Sequence, residues 1–208
     1  MGWTPETAQS GGLSARIVCL VAALINLSFQ ATPVILAQTP PIPDGRISTG
    51  TLSFDGHATV GDFTGTTTTV TGAIRGASDL AEVRGWVESP VQTLKTGDSK
   101  RDKDLNKSME SKKFPVIRFD LERIAPAGQG EERVPVILHG AMVIHGVTRQ
   151  VELPGTIQIQ ANTARVRTDF PLNLKDYSIG GLSKMLGMLK MSENIQVHVD
   201  LVFQLKPS

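Results

Sequence analysis

The 208 residues carry 21 basic and 20 acidic side chains, a balance that gives no reason to expect nucleic acid or an acidic surface as partner. Cys19 is the single cysteine, which excludes an internal disulfide framework and a cysteine-rich metal site. After residue 37 no stretch is long and apolar enough to cross a membrane as a helix.

The N-terminal part reads as an export signal. Arg16 precedes an apolar run over 17–25, and Ala37 is a plausible cleavage point after Pro33. Residues 1–37 are therefore expected to be a signal segment, with an uncleaved N-terminal anchor as the alternative. The protein is expected outside the cytoplasm, periplasmic or extracellular. Residues 38–45, Gln-Thr-Pro-Pro-Ile-Pro-Asp-Gly, read as an extended, mobile linker. One domain is expected over 46–206.

Within it, alternation of period two dominates. Residues 59–75, rich in Thr and Val, read as a strand. In 82–91, Val83, Gly85 and Val87 share one side. A helix is expected through 103–111, capped by Asp98 or Ser99, with Leu105 and Met109 pointing inward and Pro115 ending it. Strand alternation resumes in 117–122, where Ile117, Phe119 and Leu121 face away from Arg118, Asp120 and Glu122. It continues in 134–144, 150–159 and 165–172. The segment 180–191 is apolar, Met-rich and punctuated by Gly. In 195–205, Ile195, Val197, Val199, Leu201, Phe203 and Leu205 lie on one face, and Gln196, His198, Asp200 and Gln204 on the other.

These are about eight strands joined by short, often Gly-containing turns, so antiparallel pairing follows. The fold class is all-β. An eight-stranded antiparallel barrel with one short helix accounts better than a sandwich for Gly61, Gly65, Gly72, Gly85 and Gly140 inside strands, where curvature is tightest.

Five segments in order carry a resemblance: Thr93-Leu-Lys-Thr-Gly97, Arg101-Asp-Lys-Asp-Leu105, Phe114-Pro-Val-Ile-Arg-Phe119, Met142-Val-Ile-His-Gly-Val-Thr-Arg149 and Asp176-Tyr-Ser-Ile179. With these the chain resembles the YceI-like family of exported, lipocalin-like barrels associated with polyisoprenoid lipids. The resemblance covers roughly 46–205 and implies a lipid-binding barrel. Ser178 departs from it, standing where the family commonly has Gly.

No nucleophile elbow, zinc-binding histidine pair or phosphate-binding glycine loop is present, so no catalytic, metal or cofactor site is expected. His57, His139, His145 and His198 read as structural or solvent-facing, with His145 bracing a strand turn. Asp102 and Asp104 beside Lys100, Arg101 and Lys103 read as a solvated helix face; the alternative is that Arg101 and Asp102 seat the helix on the barrel. An eight-stranded barrel is wide enough for side chains alone or for one small ligand, and both remain open on the residues. If hollow, space beside Gly85, Gly140 and Thr168 would be walled by Phe119, Met142, Ile144, Val166, Phe170, Leu201 and Phe203. Met185, Leu186, Met188, Leu189 and Met191 would then form an adaptable lid. The expected partner is an isoprenoid or fatty chain, with a homodimer as an option through barrel edges. The rival is a filled barrel acting through its surface, with Trp86 facing outward.

Overall fold

The computed structural model describes residues 41–59, 61–130, 132–180, 183–184 and 189–207. Strands β1 (Gly45–Ala58), β2 (Gly61–Thr67), β3 (Thr71–Arg75) and β4 (Arg84–Pro90) precede helix α1 (Ser99–Ser108). After it come β5 (Val116–Pro126), β6 (Val134–Ile144), β7 (Val147–Gln160) and β8 (Thr163–Asn173). A two-stranded ribbon of β9 (Ser183–Lys184) and β10 (Leu189–Lys190) leads to β11 (Asn194–Leu205). The main sheet runs β11-β8-β7-β6-β5-β4-β3-β1-β2, and pairing of β1 with β11 closes it. All its pairings are antiparallel.

The closed wall has eight staves, because β2 and β3 occupy one. Along one edge β1 meets β3 at Gly45 and Arg46, then β2 from Leu52 to Ala58. Sequence reading expects a single strand over 59–75, and local side chains break it. Thr67 Oγ1 accepts from Thr69 N at 3.0 Å and lies 2.8 Å from Thr93 Oγ1. Ser89 Oγ donates to Thr69 O at 2.9 Å. These bonds offer the backbone an alternative to the ladder. Thr66 then exchanges both backbone hydrogen bonds with Lys95.

The alternation predicted for β11 and β6 sets inside against outside. Ile195, Val197, Leu201, Phe203 and Leu205 are buried, as are Val136, Leu138, Met142 and Ile144. The outer face carries a polar network across β1, β11 and β8. His198 stands between Asp169, at 2.5 Å, and Asp55, at 3.1 Å. Asp200 takes Arg165 at 2.6 Å and Arg167 at 3.0 Å.

Antiparallel order places α1 and the β8–β11 connection at one end of the barrel. The chain before β1, the 3-10 turn Leu80–Glu82 and the β5–β6 and β7–β8 turns lie at the other. Residues 42–44 are not the mobile linker expected from the prolines. Ile42 N donates to Ala77 O at 2.8 Å, and Asp44 Oδ1 accepts from Gly76 N at 3.0 Å. Asp44 O also accepts from Lys206 N at 2.8 Å, and its carboxylate meets Lys206 Nζ at 3.3 Å. The Gly76 amide, then Lys206, hold that carboxyl below its usual range. Three partners fix what composition alone leaves free.

The bond to Asp169, then that to Asp55, raises the pKa of His198 above its ordinary value. A raised folded pKa contributes stability that is complete below about pH 6.5 and lost as pH climbs through the folded value. Thermal melts of the His198→Gln variant should therefore fall furthest below wild type near pH 5.5. The gap should close by about pH 9 and stay modest throughout, because the ring is partly solvated. A gap independent of pH would count against this ion-pair assignment.

Candidate ligand cavity

The inner face does not fill the barrel. A cavity of about 500 Å³ lies within it, in the range of small-molecule sites. Phe119, Met142, Ile144, Val166, Phe170, Leu201 and Phe203 all stand on its wall, with Gly85 and Thr168. Thr168 is buried and its hydroxyl donates to Pro154 O at 2.7 Å, so it adds no unmet polar group there. Met185, Leu186 and Met188 lie outside the described residues.

The space has a local cause. On the inner face of β1 and β2, Phe54 is paired with Gly65 and Phe63 with Gly56. Each ring lies on its glycine: a Cβ on Gly65 would come within 2.3 Å of Phe54, and one on Gly56 within 2.6 Å of Phe63. The two rings meet edge to face at 6.1 Å. At Gly140 a built Cβ would come within 2.2 Å of Asp120 O and 2.9 Å of the Phe119 ring, which lies diagonally across it. Gly140 is therefore no part of the open space, contrary to the sequence expectation. It lets an aromatic ring lie along the wall instead of reaching into the centre.

Among the residues bordering the cavity, the charged ones are Glu88, Asp98, Lys100, Arg101, Asp104 and Arg118. Four of these six belong to α1 or its cap, so the polar mouth lies beside the helix. The helix starts where Asp98 accepts from Arg101 N at 2.8 Å. Asp102 accepts from Thr96 N at 2.9 Å and Thr96 Oγ1 at 2.8 Å, and Lys95 Nζ lies 3.7 Å away. The Thr96 donors, with Lys95, hold the Asp102 carboxyl below its ordinary value. Arg101 Nη2 donates to Thr96 O at 2.9 Å, and its guanidinium lies 4.4 Å over the Phe63 ring. Arg101 and Asp102 thus seat the helix on the barrel rather than forming a solvated face. Leu105 and Met109 pack inward as their spacing predicts.

At the same end His145 and Gly146, with φ of 52° and 76°, make the tight β6–β7 turn. His145 Nδ1 lies 3.2 Å from Tyr177 O, and its ring meets Phe114 edge-on at 4.7 Å. It braces the turn, as expected, and ties the segment after α1 to the 3-10 turn Leu174–Tyr177. That turn ends at Ser178 with φ 57° and ψ 24°, a left-handed conformation that favours Gly. The Gly that the resemblance leads one to expect there would have a backbone reason.

The other polar candidates sit on the outside. His57 pairs with Asp62 at 2.8 Å, and His139 with Glu152 at 3.2 Å. Among the described residues no group of His, Cys, Asp and Glu side chains could hold a metal. Trp86 lies on the outer face by register, opposite Ala73 and Asp120. Arg118 stands 5.0 Å over its ring and is itself held by Asp120 and Glu88. Sequence reading misses Phe54, Phe63, Ile42 and Val199 as wall residues. For Val199 the alternation of β11 held the signal; for Ile42 nothing local did.

A family model described as the YceI-like domain matches residues 47–203. No curated protein matches the chain. Among solved structures, Burkholderia cenocepacia BcnA matches with a TM-score of 0.63 at 17% identity, over 74% of this chain and 95% of that one. A polyisoprenoid binding domain from Saccharophagus degradans, implicated in plant cell wall breakdown, matches with a TM-score of 0.66 at 16% identity, over 79% and 99%. The Campylobacter jejuni YceI protein matches with a TM-score of 0.52 at 16% identity, over 66% and 82%. At these identities the likeness is one of fold.

Two variants probe this geometry. Ser178→Gly should leave stability unchanged or raise it by up to about 1 kcal/mol, since relief of the left-handed strain is partly offset by a freer unfolded chain. A clear loss in chemical denaturation would refute the backbone reading. Val199→Phe places a ring in open space, so its melting temperature should hold while binding of any cavity ligand weakens about tenfold or more. Unchanged binding would place the ligand elsewhere.

Proposed function

The chain belongs to the YceI-like domain family, and from that premise we propose that it is an exported lipid-binding protein. In this reading it holds an isoprenoid or another long-chain amphiphile inside the barrel. The observation that carries the proposal is the apolar cavity of about 500 Å³ within a closed wall. Each methylene moved from water into such a space contributes about 0.8 kcal/mol. A chain of several isoprene units can therefore be held without a charged partner, after the cost of ordering it.

The proposed contacts are Phe119, Met142, Ile144, Val166, Phe170, Leu201 and Phe203 along the chain, with Met185, Leu186 and Met188 as the expected lid. The headgroup is proposed to sit beside α1, where the charged border lies. The protein acts as a binder in this reading, not a catalyst. Residues 1–37 are proposed to direct export, in keeping with the run that follows Arg16. The polyisoprenoid-binding description of the Saccharophagus degradans domain belongs to that protein and supports the ligand class by fold alone.

Protein purified from its native envelope and extracted into organic solvent should release a long-chain lipid at near-stoichiometric amounts, identified by mass spectrometry. A clean extract from folded protein, together with no uptake of farnesol or longer polyprenols at micromolar concentration, would defeat the reading.

A further inference from the structure

The overall charge of +1 conceals an uneven distribution. Of the 21 basic and 20 acidic residues, seven and four lie in 95–113, which leaves the rest of the chain two charges negative. Nine of the ten lysines fall in 91–115 and 174–193, the two long connections at the α1 end of the barrel. At the opposite end, among the described residues, Asp44, Asp79, Glu82 and Glu132 stand against Arg46, Arg75, Arg84, Arg133 and Lys206, close to balance and with a single lysine.

Helix α1 sharpens this asymmetry. Lys100, Lys103 and Lys107 follow i, i+3, i+7 spacing and form one exposed stripe. Leu105 and Met109 occupy the other side, against the barrel core. None of the three lysines enters an ion pair among the described residues, whereas Lys95 and Lys113 each have a carboxylate within 4 Å. Lys100 also borders the cavity. Three lysines without an ion-pair partner thus stand side by side at the mouth, on the exposed face of the helix.

We propose that this end is a docking face for an anionic lipid bilayer, which sets the cavity mouth against the membrane. A cluster of lysines gains from the negative surface potential of such a bilayer over about one Debye length, so the nearest stripe dominates. The far end, where cations and carboxylates nearly balance, gains nothing comparable, so the difference turns the mouth toward the lipid. Its purpose rests on the lipid-carrying reading; the docking itself is measured separately.

The full chain is sedimented with phosphatidylcholine vesicles and with mixed phosphatidylglycerol–phosphatidylcholine vesicles, at low and at near-physiological salt. Wild type should bind the anionic vesicles, lose binding as salt rises, and ignore the neutral ones. The Lys100→Glu/Lys103→Glu/Lys107→Glu variant should bind about tenfold or more weakly. The Arg46→Glu/Arg75→Glu/Arg133→Glu variant, with the same change in net charge away from α1, should lose about threefold or less. Thermal melts confirm that each variant is folded. Equal losses in the two variants, or equal binding to both kinds of vesicle, would overturn the docking face. So would the absence of any vesicle binding, including the case in which the stripe instead captures an acidic protein. Farnesol uptake without vesicle binding removes the docking face and leaves the lipid-carrying reading standing; docking without uptake does the reverse.

Discussion

The pairing of β1 with β11 is the interaction on which the rest of this structure depends. An open eight-stave sheet would leave two rows of backbone donors and acceptors unmatched, a template for aggregation. Ten residue pairs along the seam remove both edges at once. Closure at this strand number also fixes the bore, which admits either a packed core or a guest. The seam is braced outside by His198, which reaches Asp55 on β1 and Asp169 on β8 from its place on β11.

Given the bore, the interior is decided by where the aromatic rings lie. Phe54, Phe63 and Phe119 rest on glycines of the wall, and the volume they would occupy at the centre stays open. The same Phe63 ring receives the Arg101 guanidinium at the cavity border. Helix placement and cavity shape therefore share a residue: α1 is held by the side chain that helps line the space it borders. Thr96, buried and bonded to both Arg101 and Asp102, completes that attachment.

Much of this was legible in the residues. The alternation of 195–205 and 134–144 named the inner face correctly, because each strand has one face on the core and one in water. The helix was legible from Asp98, Leu105 and Met109, since capping and i, i+4 spacing are local signals. What escaped depended on contacts distant in sequence. The break between β2 and β3 is imposed by Ser89 and Thr93, some twenty residues away. The anchoring of Ile42 and Asp44 comes from Ala77, Gly76 and Lys206, and prolines alone suggest freedom. Gly140 was read as space because its composition says small; the Asp120 carbonyl and the Phe119 ring show it to be covered. Net charge misled in a similar way, being a sum that erases position.

The glycines under the rings and the side chains facing the cavity live under opposite rules of change. A glycine under Phe54 or Phe63 has no room for even one added carbon, so these positions admit almost no drift. A side chain such as Val199 stands on the cavity wall, where added volume takes up open space. The barrel is thereby divided into a shell that resists added volume and a lining that can take some of it up. Descendants of such a chain can exchange one cargo for another by substitutions that folding scarcely registers, which makes the hollow a reservoir of evolvable specificity.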